Sequence, residues 1–269
     1  MIPPGSESTR PLPALPALVV TALGVAAMFA SAVLAARLGL ALGLRGQIAL
    51  GTALLALPAL LALLARPAAG RAALGSTPVS GRVAGLSTVL GATLWIGSLG
   101  LMEVQALVSP PSPQYLDSFR ALHRALAPAG ALDMLVSLAV IAVLPGLCEE
   151  LVVRGALLPS LVRPLGPGLA VGASALLFAA MHLDPYRFLF TFTVGFVLGV
   201  VRLATGSLWP PILAHVTLNA LTFALAPVFD DPSQPYTPQP VLGLACLVVG
   251  AALTVPVLRA LRPPPAPSA

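Results

Sequence analysis

From about residue 14 to residue 258 the chain keeps returning to apolar runs that are nearly free of charge and about as long as a membrane is thick. The hydrocarbon core of a bilayer is about 30 Å across, and a helix rising about 1.5 Å per residue crosses it in about 20 residues. No water reaches the backbone there, so each run must satisfy its N–H and C=O groups internally. Runs at 14–36, 47–65, 83–102, 131–148, 168–181, 187–204, 211–226 and 241–258 meet that requirement. They predict an all-α, polytopic transmembrane bundle of about eight spans. Residues 148–165 are expected to continue or re-enter beside the fourth span. The first run is longer than a signal-peptide core and has no cleavage signature, so it is read as a retained span.

Composition closes off the other classes. The chain is 58% hydrophobic and 9% charged, against roughly 25% charged residues in a soluble domain. Disorder requires the opposite balance, low hydrophobicity and high charge. The formal charge is +5, and all 14 basic residues are arginine. In a soluble chain such an excess suggests nucleic acid, but here the arginines lie scattered between apolar runs and read as topology signals. The expected partner is therefore the bilayer, with no nucleic acid. The bias towards Ala, Leu, Gly, Pro and Arg suits a GC-rich genome, and a bacterial cytoplasmic membrane is the expected location. Cys148 and Cys246 form no CxxC pair and no disulfide framework, and read as small apolar residues.

Seven segments follow. Residues 1–13 form a polar, proline-rich tail, expected to be disordered, and 14–102 the N-terminal transmembrane helices. Residues 103–130 are a loop in which Phe119, Leu122 and Leu126 share one helical face, predicting a short amphipathic helix at the membrane surface. A membrane core, 131–226, is followed by a loop at 227–240, the last transmembrane helix at 241–258 and a tail at 259–269. With eight spans both termini lie on one side. That side holds nine arginines (Arg10, Arg66, Arg71, Arg82, Arg154, Arg163, Arg202, Arg259 and Arg262) against five (Arg37, Arg45, Arg120, Arg124 and Arg187). The excess predicts cytoplasmic termini.

Ionisable groups inside spans cost several kcal/mol each, so those present are expected to have a purpose. Here they cluster. Glu149, Glu150 and Arg154 lie in the core, followed by His182 and then by His215 with Asn219; the chain has three histidines in all. Glu150 and Arg154 are i,i+4 with the acid first, the favourable order for a helical ion pair. Glu149 points about 100° away and is left as a candidate general base. Pro145 and Gly146 are expected to break or kink the helix just before it. Phe178 and His182 share a face, and so do His215 and Asn219, which follow Pro210 and Pro211 at a helix start. A neutral histidine beside an amide is a candidate oxyanion site. Taken singly, each element also has a plain structural explanation: a charged helix end, an interfacial histidine, or polar side chains joining helices.

Their order is more specific than any one of them. EExxxR, FxxxH and HxxxN occur in succession, 33 residues from Glu149 to His182 and 33 more to His215. This series resembles the CPBP family of intramembrane endopeptidases, which includes the type II CAAX prenyl proteases and bacterial bacteriocin-processing and self-immunity proteins. The resemblance covers about residues 131–226. It implies that Glu149 activates a water, that His182 helps to hold and polarise it, and that His215 and Asn219 bind the oxyanion. Glu150, Arg154 and Phe178 would support them. It also implies a helix bundle around a cavity, and a membrane-associated protein or peptide as substrate.

No cofactor is expected to be required. The alternative is zinc, for which Glu149, His182 and His215 make an acceptable ligand set, although no HExxH is present. Asp133 and Asp184 lack the context of aspartyl intramembrane proteases, and Ser98, between Gly97 and Gly100, lacks that of rhomboids. Two other functions remain open on sequence: a non-proteolytic immunity or scaffold protein on the same fold, and a small transporter.

Overall fold

A computed structural model describes residues 11–75, 79–229 and 236–262. Among these residues there is no strand, and every long element is helical. The helices are α1 (Ala14–Arg37), α2 (Leu44–Leu64), α3 (Pro67–Leu74), α4 (Gly81–Ala106), α5 (Pro113–Leu126) and α6 (Ala131–Leu138). A π-helical turn, π1 (Ala139–Val143), leads into α7 (Leu144–Glu150), and a second, π2 (Leu151–Leu157), leads into α8 (Leu158–Ala180). The chain continues with α9 (Phe188–Thr205), α10 (Trp209–Phe229) and α11 (Pro240–Leu261). The expected tail at 1–13 and the expected loop at 227–240 fall partly outside the described residues, as does the tail at 259–269.

Among the described residues, seven helical runs are long and apolar enough to cross a membrane. One of them, Ala131–Ala180, is a continuous run of 50 residues that holds both the fourth and the fifth expected spans. Gly166 breaks it, with φ 76° and ψ 162°, a backbone conformation essentially confined to glycine. The consequence is visible in Arg154, whose Cζ lies 4.6 Å from the centroid of the Phe178 ring. A straight helix would hold those two residues about 36 Å apart, so the chain turns back on itself at Gly166. Residues 148–165 therefore extend the fourth span rather than re-enter beside it.

The expected kink at Pro145 takes another form. Proline has no N–H for the carbonyl four residues earlier. For Pro145 and Pro159 those carbonyls belong to Ile141 and Gly155, one in each π-helical turn. The helix widens at both prolines and carries on. The seven residues of α7, with Glu149 and Glu150 at their end, are thus bracketed by two widened turns, a local geometry often found at functional sites.

Packing rests on small residues, as it must where lipid is as apolar as leucine. Gly97 of α4 lies so close to Gly250 of α11 that a Cβ on Gly250 would meet Gly97 Cα at 2.5 Å. Two apolar cores result. In one, α1 and α2 pack on π2 and α8 through Leu55, Leu157, Leu158 and Phe178. In the other, α4 packs on α9, α10 and α11 through Leu90, Val194, Leu198 and Leu218. Large apolar side chains such as Leu15, Val33, Leu132, Leu169 and Val241 are exposed on the outside, where lipid rather than water surrounds them. The predicted amphipathic helix is α5, capped by Ser112, whose hydroxyl accepts from Tyr115 N. Cys148 and Cys246 are free.

The arginine count needs one correction. Arg154 and Arg202, counted above as loop charges, are 0% and 7% exposed. They belong to the bundle interior, and the arginine count behind the expected orientation falls from nine against five to seven against five.

Candidate active site

Glu150 and Arg154 are where the i,i+4 spacing puts them. Arg154 Nη1 donates to Glu150 Oε1 at 2.7 Å, with both side chains fully buried. A guanidinium without water needs several acceptors and a carboxylate needs several donors. Arg154 Nη2 accordingly donates to the carbonyl of Gly195 on α9 at 2.7 Å, and its guanidinium lies over the Phe178 ring. Arg202 Nε donates to the Arg154 carbonyl at 3.2 Å. Glu150 Oε1 has a second neighbour, His215 Nδ1 of α10, at 2.9 Å. Because that oxygen already accepts from arginine, His215 Nδ1 must be the donor, and its ring turns Nε2 away from Glu150.

His182, just past the end of α8, is fixed in the same sense. Its Nδ1 lies 2.8 Å from the Phe178 carbonyl, which can only accept. Phe178 is the hub of the cluster. It meets the ring of His182 edge-on at 5.0 Å and that of His215 at 5.8 Å, between centroids. Gly195 makes room for it, since a Cβ there would meet Phe178 Cδ1 at 2.9 Å.

The two Nε2 atoms converge on Glu149. His182 Nε2 and His215 Nε2 each lie 3.9 Å from Glu149 Oε2. That oxygen is buried and has no hydrogen-bond partner among the described residues. The spacing is too wide for a direct hydrogen bond, and it suits one small molecule bridging the three atoms. Access is graded: the side chains of His182 and Glu149 keep 20% and 14% of their surface, whereas Glu150 and Arg154 keep none. Asn219, one turn beyond His215 on α10, is half-buried.

Every residue singled out in the sequence except Asn219 thus has a measured contact within one cluster, and Asn219 adjoins it along α10. Sequence reasoning missed Gly195, since its contribution is a carbonyl and an absent Cβ. The need for a second acceptor around a buried arginine was foreseeable, but its position was not. The residues set aside have other partners. Asp133 pairs with Arg45 of α2, Asp184 accepts from Tyr115, and Ser98 donates to the Trp95 carbonyl within α4.

Zinc accepts the ligand types found in Glu149, His182 and His215, and their spacing is somewhat wider than that of bound ligands. Two ligands about 2.1 Å from a tetrahedral ion are roughly 3.4 Å apart, and these stand 3.9 Å apart. Among the described residues no group of three such side chains is placed to hold a metal ion.

Fold and site together define an intramembrane bundle with a carboxylate–imidazole cluster inside it. Residues 131–221 match the family model for type II CAAX prenyl endopeptidases, Rce1-like. Over this segment, roughly a third of its length, the chain is similar to the CAAX-type intramembrane proteases that the model describes. The match includes all the clustered residues from Glu149 to Asn219. Neither the curated proteins nor the solved structures contain a match to this chain.

Proposed function

We propose that this protein is an intramembrane endopeptidase that hydrolyses peptide bonds of membrane-associated proteins or peptides with a glutamate-activated water. The observation that carries the reading is the convergence of His182 Nε2 and His215 Nε2 on Glu149 Oε2, each at 3.9 Å. A water between them gives one proton to Glu149 and directs the other at the His182 Nε2 lone pair, which leaves its oxygen free to attack a carbonyl carbon. Glu149 then holds the proton until the leaving amine takes it.

The oxyanion lies on the side of His215 and Asn219. The expectation of a neutral imidazole donor does not suit the observed bond, since a ring with Nδ1–H on Glu150 has only a lone pair at Nε2 when neutral. A His215 that donates from Nε2 as well must carry a proton on each ring nitrogen, the form the Glu150 carboxylate would pair with, and Asn219 supplies an amide N–H. Arg154 neutralises Glu150 in turn and, with Phe178, fixes the orientation of both imidazoles. No step requires a cofactor.

Counting only arginines outside the bundle interior still favours cytoplasmic termini, seven to five. A cytoplasmic membrane is the location in keeping with that count. The test is quantitative peptidomics of membranes carrying the wild-type chain against those carrying Glu149→Ala. Peptides that disappear in the variant identify substrates without presuming them. An unchanged peptide profile, with the variant present and folded, sinks the assignment and leaves a non-proteolytic scaffold or a transporter.

A further inference from the structure

Residues 181–187, between α8 and α9, carry His182 on irregular backbone. Leu183, its neighbour, has φ 51°, in the left-handed region that leucine seldom enters. With 72% of its surface exposed, Leu183 is not held there by its own side chain. The conformation is held from both ends instead. On one side is the bond from His182 Nδ1 to the Phe178 carbonyl. On the other, Asp184 Oδ1 accepts from the backbone N–H groups of Tyr186 and Arg187, at 3.0 and 3.2 Å.

That turn is anchored from outside. Tyr115 of α5 donates its hydroxyl to Asp184 Oδ2 at 2.9 Å, across 69 residues of sequence. Its ring packs on that of Tyr186 with centroids 4.6 Å apart, and Gln105 Nε2 of α4 donates to the Tyr186 carbonyl at 3.1 Å. Burial and the Asp184 carboxylate push the Tyr115 phenol above the usual tyrosine range, so it remains a donor at neutral pH. The surface helix is thereby tied to backbone two residues from the candidate catalytic imidazole.

We propose that Tyr115 is a positioning residue for His182: through the Asp184 carboxylate, its hydroxyl fixes the turn that holds the imidazole against Glu149. The proposal rests on His182 having the role given above. A displacement of about 1 Å in a catalytic group can cost about a hundredfold in rate, so a single hydroxyl at this distance from the chemistry matters.

The test uses the full chain in lipid nanodiscs with 15N-labelled histidine, comparing wild type with Tyr115→Phe, which keeps the ring packing and removes one oxygen. The wild type is expected to show His182 as one tautomer, protonated on Nδ1. In the variant both His182 nitrogen signals move towards the average of the two tautomers, while those of His215 stay. The peptides lost from Glu149→Ala membranes appear about tenfold more slowly. Asp184→Asn, which keeps the turn acceptor and replaces the carboxylate, moves the same His182 signals. If neither variant moves them, or if His215 moves equally, the positioning role is overturned. Full cleavage by a His182→Ala variant instead overturns the catalytic reading, and the spectra still report on the turn.

Discussion

His215 Nδ1 lies 2.9 Å from Glu150 Oε1, a contact that joins α10 to the end of α7 across 65 residues. It divides two adjacent glutamates between two tasks. Glu150 is sealed between Arg154 and His215 and sets the direction of an imidazole, whereas Glu149 keeps an oxygen facing both histidines. The following outcomes are expected from that division.

Glu149→Gln is nearly isosteric and removes no direct hydrogen bond at Oε2, so the protein should fold with an unchanged Tm and lose cleavage. Glu150→Gln leaves the fully buried Arg154 without its counter-charge. Breaking a buried pair on one side costs about 3–5 kcal/mol, so this variant should melt lower as well as lose activity. Thermal unfolding in detergent, read beside a cleavage assay, separates the two. Equal melting points would show that Glu150 does not carry the structural load.

The three histidines should divide two to one. His182→Ala and His215→Ala abolish cleavage, while His123→Ala has little effect, because its ring packs on Phe119 and its Nδ1 meets the carbonyl of that residue, both on the surface helix α5. Asn219→Ala should slow cleavage by about 10²–10³-fold, the usual cost of one oxyanion donor. A rate within a factor of two of wild type would remove Asn219 from the site.

Gly91 brings α4 against the turn of α10 that carries His215. A Cβ at Gly91 would meet the Ala214 carbonyl oxygen at 2.3 Å and Thr217 Cβ at 2.6 Å. Gly91→Ala must push α10 away, at a cost of about 1–3 kcal/mol. Lower thermal stability together with loss of cleavage is expected, and retention of both would mean that the interface yields more easily than its packing implies.

Asp133→Asn weakens the pairing with Arg45, which also donates to the Leu126 carbonyl. Both side chains are partly exposed, at 27% and 33%, so water screens the pair and its contribution to stability is small. Cleavage should continue. Its loss would reopen an aspartyl mechanism.

Dialysis against a strong chelator should leave cleavage intact, because the proposed steps run through Glu149, His182 and His215 without a metal ion. Inactivation that is reversed by added zinc would show that the three side chains close around an ion.

The candidate site was legible in the sequence because charge is so scarce in it. In a chain with few ionisable groups, Glu149, Glu150, Arg154, His182 and His215 stand out one by one, and the i,i+4 rule pairs Glu150 with Arg154 from local geometry alone. The same rule gives Glu149 no partner. The two imidazoles that face it follow the end of α8 and lie on α10, and their approach depends on helix crossings set by Gly195, Gly91 and the turn at Gly166. Pro145 was readable as a disturbance, but a break and a widened turn share one sequence signal, and the surrounding packing selects between them.

What the sequence determined by itself was the solvent and the secondary structure: apolar runs of bilayer length leave backbone groups no alternative to helix. The tertiary structure decided which of two neighbouring carboxylates is sealed and which is available. That depends on groups far away in the chain. Arg154 and His215 together occupy Glu150 Oε1, and only the packing of α7 against α10 brings the second of them there.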